Sequence, residues 1–331
     1  MKEKLAQCRR CILDSRTPGI TINPHTGLCQ WCEQGPLKTA TEEANRILAT
    51  TRGGGEVDAI FALSGGKDSC YTLYRLKEEY PDLRILAVQF DNGFIADSAV
   101  ENAQQFCHKT GSTFLSLSLD PLLLQTVFRR AAESINAYPV AARIRASDIC
   151  NTCIGIVKQK LIELALVHHA PLIVFAFSPG QTTSPFVRLS AVYLRWFRNM
   201  FQKELEAMGV KNNDELLIPP ELIEAQGKRE MIIVHPLLIW DYHKEQVEQA
   251  VVTMGWKRPE LADKISTNCL LNAFANDNHI RKYGIHPYAF DLAALVREGR
   301  LSREEALRNV NMEQSQDLIQ YAHEKLSIIR K

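Results

Sequence analysis

The chain has 331 residues, 46% hydrophobic and 23% charged, with a formal net charge of +1; that is enough chain for one large domain of roughly 200 residues with smaller attachments. The near-neutral balance excludes a broad nucleic-acid surface but leaves room for a local basic patch. No apolar run reaches the roughly 20 residues a bilayer requires, and the first residues are polar rather than leader-like, so a cytoplasmic protein with no membrane partner is expected.

In such a compartment the nine cysteines are expected as thiols, not disulfides. Their spacing sorts them. Cys8, Cys11, Cys29 and Cys32 form a C-x2-C…C-x2-C frame, Cys150 and Cys153 a third C-x2-C, and Cys269 stands apart. Cys70 and Cys107 fall in helical stretches, where a buried cysteine acts as a small hydrophobe.

In chain order, residues 1–36 read as an irregular module, broken by Pro18, Gly19, Pro24 and Gly27. A helix over 41–49 and the run Gly53-Gly54-Gly55 follow, the latter as a linker. From residue 56 to 256 strands and helices alternate: a buried strand over 58–63, a helix over 70–80 ending at Pro81, a strand over 84–90, a helix over 98–109 and a strand over 113–119. Helices over 121–136 and 150–168, a strand over 172–177, a strand over 232–239 and a helix over 244–254 complete it. This alternation predicts an α/β fold with a doubly wound parallel sheet, whose ligands sit beyond the carboxyl ends of the strands. Residues 257–331 are polar and helical, with Ser302 and Glu305 as a capping pair.

Between the first strand and its helix lies Ser64-Gly65-Gly66-Lys67-Asp68-Ser69. Two glycines let backbone N–H groups turn inward as an anion nest, and the helix N-terminus adds partial positive charge. Lys67 can neutralise phosphate, Ser64 and Ser69 offer hydroxyl donors, and Asp68 suits Mg²⁺ or orientation of the loop. The spacing is neither a Walker A loop nor a dinucleotide G-x-G-x-x-G; the plain alternative is a glycine turn with a solvated lysine.

After a buried strand, the S-G-G-K-D-S run resembles the signature of the PP-loop ATP-pyrophosphatases, the adenine nucleotide alpha hydrolases. The resemblance implies a HUP-like domain that binds ATP and Mg²⁺, adenylates a substrate oxygen and releases pyrophosphate. It also implies that Asp91, at the end of the second strand, contacts Mg²⁺ or nucleotide; a plain turn residue is the alternative. His235-Pro236-Leu237-Leu238 followed by Lys244-Glu245 resembles a late stretch of such domains, and Ser178-Pro179-Gly180-Gln181 ends a strand where a substrate contact or an ordinary loop would both fit.

The first four cysteines suit tetrahedral Zn²⁺ in a structural ribbon, whose binding free energy folds a module too small to fold alone. Cys150, Cys153 and Cys269 suit a 4Fe–4S cluster with one iron left open, a persulfide-carrying dithiol, or a second zinc corner. A helix N-terminus at Cys150 is expected to lower the thiol pKa. The order of loop, C-x2-C and a later cysteine resembles the iron–sulfur-dependent tRNA thiolation enzymes, which implies all three as cluster ligands and a sulfur donor as partner. Cys8-Arg9-Arg10-Cys11, Gly27-Leu28-Cys29-Gln30-Trp31-Cys32 and the run Val296-Arg297-Glu298-Gly299-Arg300-Leu301 resemble the N-acetyl sugar amidotransferases of polysaccharide synthesis, which implies nitrogen insertion with ammonia from a partner glutaminase. Cys269 has no counterpart in that second likeness.

The two activities share adenylation and differ in the nucleophile; a non-catalytic nucleotide-binding protein is a third class, against which intact Lys67 and Asp68 speak. The expected substrate is a tRNA or a small molecule, and a homodimer is one assembly compatible with this chain. Arg129, Arg130, Arg143, Arg145, Arg188, Arg195, Trp196 and Arg198 mix basic and aromatic character as an RNA contact would, or as amphipathic helices with snorkelling arginines do.

Overall fold

The computed structural model describes residues 6–35, 40–211, 213–227, 229–260, 266 and 268–328. It opens on an irregular module closed by two antiparallel bridges, Gln7 with Asp14 and Ile22 with Cys29, and by the single turn α1 (Gln30–Glu33). Helix α2 (Thr41–Thr50) then leads to the first strand of a six-stranded sheet.

The strands are β1 (Ala59–Ala62), β2 (Ile85–Asp91), β3 (Thr113–Ser118), β4 (Leu172–Phe175), β5 (Phe186–Leu189) and β6 (Met231–Val234). Their order is β3-β2-β1-β4-β6-β5. All pairings are parallel except β5 against β6. The chain winds outward from β1 to β2 and β3, then returns to place β4 on the other side of β1. That reversal opens a crevice beyond the carboxyl ends of β1 and β4.

Strand side chains alternate between faces, so each strand feeds two cores. Phe61, Ala87, Val174 and Val234 pack with α2, α3 (Lys67–Glu79), α4 (Asp97–Thr110) and α10 (Lys244–Thr253). Ile60, Val88, Ile173 and Ile233 pack with α7 (Asp148–Val167), α8 (Ala191–Ala207) and α9 (Pro220–Gln226). The interleaved sets make the parallel, doubly wound α/β architecture that the strand–helix alternation predicts. Cys70 and Cys107 are buried in the first of these cores, as expected for small apolar side chains.

Local chemistry sets the helix boundaries. Asp120 caps α5 (Pro121–Glu133) by accepting from the N–H groups of Leu122 and Leu123, with Pro121 at the first helical position. Ser147 caps α7 through the Cys150 N–H at 3.1 Å, and Ser302 caps α13 (Arg303–Val310) through the Glu305 N–H at 3.1 Å. Helices α4 and α11 (Asn272–Tyr283) stop at left-handed glycines, Gly111 and Gly284. Two departures from the sequence pattern have a clear local cause. The strand expected over 232–239 ends at Val234, because Pro236 has no N–H for a ladder and starts a 3-10 turn. Arg188 lies not on a helix but on the antiparallel edge strand β5, and α8 begins only after the Ser190 cap.

Two further cores lie outside the sheet. One joins α5 and the start of α7 to α11 and α14 (Gln316–Lys325). The other joins the four N-terminal cysteines, Ile12 and Leu13 to α12 (Ala289–Arg297) and α13. Trp31 stands edge-on to Phe290, ring centroids 5.3 Å apart. Arg303 donates to the Cys11 carbonyl at 3.1 Å and Arg10 to the Arg297 carbonyl at 2.8 Å. The two chain ends thus share one core.

Phe290 is fully buried at the centre of that contact, so Phe290→Ala should lower stability by about 3–5 kcal/mol. Urea unfolding measures the loss, and limited proteolysis should show cleavage within residues 6–35 before the sheet is cut.

Candidate active site

The segment Ser64–Ser69 turns from β1 into α3 at the crevice. Gly65 is left-handed, with φ +75°, and its backbone lies so close to α4 that an added Cβ would stand 1.8 Å from the Ala99 carbonyl oxygen. The loop's outward carbonyls are tied down: Gly65 O accepts from Trp256 Nε1 at 3.0 Å, and Asn102 Nδ2 lies 3.4 Å from it. Ser69 Oγ donates to Gly66 O at 3.0 Å and sits 3.1 Å from Ser64 Oγ. Gly66 starts α3 without a side-chain cap. The N–H groups of the first helical turn, which have no acceptor within the helix, therefore face the crevice with the positive end of the helix dipole.

Lys67 is 4% exposed, and its ammonium donates to Asp68 Oδ1 at 2.6 Å and to the Tyr242 hydroxyl at 3.1 Å. Tyr242 donates to the same carboxylate oxygen at 3.0 Å. Burial and the neighbouring Asp68 push the Tyr242 hydroxyl pKa up, so it stays a donor. Asp68 thereby orients the lysine. Its other oxygen stays available to a cation.

A cavity of about 390 Å³ opens over this loop, at the switch point between β1 and β4. Ser64, Gly66, Lys67, Asp68 and Ser69 line it, as do Ser178 and Gln181 beyond β4. Cys153 lines it too. Asn92, 6% exposed, donates from Nδ2 to Cys153 Sγ at 3.5 Å and to Cys269 Sγ at 3.8 Å, while Phe94 N–H donates to its Oδ1 at 2.9 Å. Those bonds fix the amide's orientation. Cys269 reaches the site by a bridge to Ile95 and a bond from Leu270 N to Phe94 O at 2.9 Å. Cys150 lies one turn before Cys153, near enough to Cys269 for their charges to interact. Cys153 and Cys269, from two distant segments, thus share one amide beside the glycine loop, with Cys150 one helical turn away.

Their pKa values run against the helix-terminus expectation. Burial raises Cys150 to about 11 and Cys153 to about 12, and raises Cys269 as well. Desolvation of a thiolate outweighs the dipole of α7 and the bonds from Ser147 and Asn92. Of the two readings of Asp91, the contact present is that of the turn. Its side chain is exposed and accepts from Gly93 N–H at 2.8 Å, the turn role, and the neighbouring Asn92 enters the cavity in its place. Tyr242 and Asn92 carry no motif of their own; the position of Asn92, one residue past a strand end, is the only sequence signal either gives.

The four N-terminal cysteines form a second centre. Cys8 and Cys32 Sγ are 3.6 Å apart and Cys11 and Cys29 Sγ 3.7 Å, with all four within 4.8 Å of one another and buried. Among the described residues this is the one His, Cys, Asp or Glu group tight enough for a single ion. The hydrogen bond from Cys11 lowers Cys29 to about 5, while burial raises Cys32 to about 12; the four cannot all ionise without a cation between them.

Most of the arginines weighed as RNA contacts have local partners. Arg188 pairs with Glu43 and Glu230, both at 2.7 Å, Arg195 with Glu224 at 2.8 Å, and Arg198 donates to Ile218 O at 2.8 Å. Arg130 lies 3.7 Å from Glu133, Arg143 donates to Tyr138 O at 3.0 Å and Arg145 stacks over Phe290 at 4.2 Å. No helix of the described residues is long and apolar enough to cross a membrane.

No family model matches the chain. An uncharacterized protein of Methanocaldococcus jannaschii is 24% identical over 315 residues, covering 92% of each chain. Among solved structures, the U34-tRNA thiolase NcsA from Methanococcus maripaludis with its 4Fe–4S cluster aligns over 98% of this chain and 89% of its own, at 15% identity and a TM-score of 0.38. The NH3-dependent NAD synthetase from Campylobacter jejuni covers 57% of this chain and 91% of its own, at 15% identity and a TM-score of 0.32. The NMN synthetase from Francisella tularensis covers 89% and 99%, at 10% identity and a TM-score of 0.33. At these scores the assignment rests on the site itself.

Gly65→Ala tests whether the loop's shape depends on the contact with α4. A methyl group there must displace backbone while the residue sits in a disfavoured conformation, so stability should fall by about 1–3 kcal/mol. Thermal melts and nucleotide binding should both be impaired, whereas Gly54→Ala, which meets nothing within 4 Å, should change neither.

Proposed function

We propose that this protein is a cytoplasmic PP-loop ATP-pyrophosphatase that adenylates a substrate oxygen and then replaces it with sulfur. The observation that carries the reading is that Cys153, hydrogen-bonded through Asn92 to the same amide as Cys269, lines one cavity with Lys67 and the glycine loop. An acceptor oxygen attacks the α-phosphorus of ATP, the bond to the β-phosphate breaks, and pyrophosphate leaves onto the loop. Backbone N–H groups of the α3 turn and Lys67 stabilise the charge that develops on the leaving group. Asp68 and Tyr242 hold the lysine in place, and the free carboxylate oxygen of Asp68 would hold Mg²⁺. The adenylated acceptor then loses AMP to the incoming nucleophile.

The thiol set supports sulfur as that nucleophile. Cys150, Cys153 and Cys269 would hold a 4Fe–4S cluster: Cys153 lines the cavity, Cys269 shares its Asn92 donor and Cys150 lies one helical turn away, a looser set than the single-ion group of the N-terminal four. Such a cluster supplies an open iron for a sulfur ligand. Asn92 Nδ2 hydrogen-bonds two of the thiols that would hold it. The N-terminal set fits zinc: Zn–S bonds of about 2.3 Å in a tetrahedron separate sulfurs by about 3.8 Å, close to the 3.6 and 3.7 Å observed. We assign that ion a structural role in the core shared with α12 and α13.

Two experiments separate the possibilities. Lys67→Ala should reduce pyrophosphate release by at least about 100-fold with an unchanged melting temperature, since Asp68 keeps the Tyr242 hydroxyl; undiminished turnover would remove the loop assignment. Anaerobically purified protein should contain iron, sulfide and one zinc per chain, and Cys269→Ser should lose the brown colour while keeping the zinc. Colourless wild-type protein that uses ammonia from a glutaminase in air would instead establish nitrogen insertion.

A further inference from the structure

The cavity contains a buried carboxylate with nothing to bind. Asp291, in the first turn of α12, is 8% exposed and lines the cavity, and its Oδ1 is buried without a hydrogen-bond partner. Its backbone is clamped: the Asp291 carbonyl oxygen would stand 2.6 Å from a Cβ on Gly180, itself at φ +98°, so α12 rests directly on the loop that follows β4. The one charged group that acts on it is Arg145, whose guanidinium is engaged over Phe290 at 4.2 Å. Burial drives the carboxyl pKa well above its usual range. Leaving such a group unsatisfied is unfavourable, and a ligand bringing O–H or N–H donors would remove that penalty.

The arrangement of the cavity indicates which ligand group that is. The glycine loop and Lys67 lie at its centre, at the end of β1. Asn92, just past β2, holds Cys153 and Cys269 on one side, and Ser178, Gln181 and Asp291 lie with the loop that follows β4. In the proposed reaction the acceptor oxygen must approach the α-phosphorus from the thiol side, so that the displacing atom reaches the same carbon. The nucleoside then extends towards β4. A carboxyl group there with an unpartnered oxygen matches a ribose hydroxyl, as an acidic side chain does for the ribose 2′-OH in dinucleotide-binding folds.

We propose that Asp291 accepts hydrogen bonds from the ribose hydroxyls of ATP and makes the site selective for ribonucleotides. This rests on the ATP-pyrophosphatase reading. Asp291 is a specificity-determining residue, supplied to the sheet domain by the C-terminal helices.

The test is calorimetric binding of ATP and of 2′,3′-dideoxy-ATP, with Mg²⁺ and without acceptor. Wild-type protein should bind ATP at least about tenfold more tightly than the dideoxy analogue. Asp291→Ala should weaken ATP to the level of the analogue while leaving the analogue's affinity within about twofold, a cycle that isolates the carboxylate–diol contact. Asp291→Asn keeps the shape and should retain the wild-type far-UV spectrum with reduced discrimination. Equal binding of both nucleotides by the wild type, or undiminished discrimination in Asp291→Ala, would overturn the ribose assignment alone. Failure of the wild type to bind either nucleotide would overturn the pyrophosphatase reading, and this assignment with it.

Discussion

Close backbone packing between the glycine loop and α4 is the constraint on which the site depends. Gly65 is the only residue type that fits against the Ala99 carbonyl in a left-handed conformation. Because the Gly65 carbonyl is held from behind by Trp256, and Gly66 O by Ser69, the loop presents its N–H face inward. Such donors are preorganised, so they need not reorient when charge develops on a departing phosphate. Trp256 and Asn102 come from elements far from the loop in sequence, and Asn102 also exchanges bonds with Lys257 at 2.8 and 2.9 Å. The sheet domain is thus closed around its own glycine turn.

The two cysteine sets differ in packing as well as in role. The N-terminal four sit in a buried core with Ile12, Leu13, Phe290 and Ala293, and the spacing of their sulfurs matches a single ion. Of the other three, Cys153 lines the cavity and shares the Asn92 amide with Cys269, while Cys150 lies one helical turn before Cys153. A metal in the first set would act on the site indirectly. It would fix the loops that hold α12 and α13, and α12 brings Tyr288 and Asp291 to the cavity. The Trp31–Phe290 pair contributes about 0.5–1.5 kcal/mol beyond its buried area. Arg303, bonded to the Cys11 carbonyl, gives the same junction directional character.

Much of this was legible in the residues themselves. The alternation of apolar strands with amphipathic helices determined a doubly wound sheet, because strand and helix periods are local properties that each segment carries alone. The run Ser64-Gly65-Gly66-Lys67-Asp68-Ser69 located the loop that lines the cavity for the same reason: a turn, its glycines and the following helix are contiguous. The two close C-x2-C pairs announced a four-thiol centre, since short spacing limits how far the sulfurs can separate.

What only the tertiary structure decided involves groups far apart in the chain or competing within one place. Asn92 rather than Asp91 enters the cavity, because the Asx turn at Gly93 takes up the Asp91 carboxylate. Tyr242 meets Lys67 across 175 positions of sequence, and no local pattern encodes that approach. The thiol pKa values rise although α7 begins beside them, because desolvation depends on everything packed around a group and the helix dipole acts only from one side. Asp291, in an ordinary helical segment, becomes a buried unsatisfied carboxylate solely because the C-terminal helices fold back over β4. Local sequence fixed which backbone each segment adopts; the packing of distant segments fixed which side chains share a cavity and what charge each can hold there.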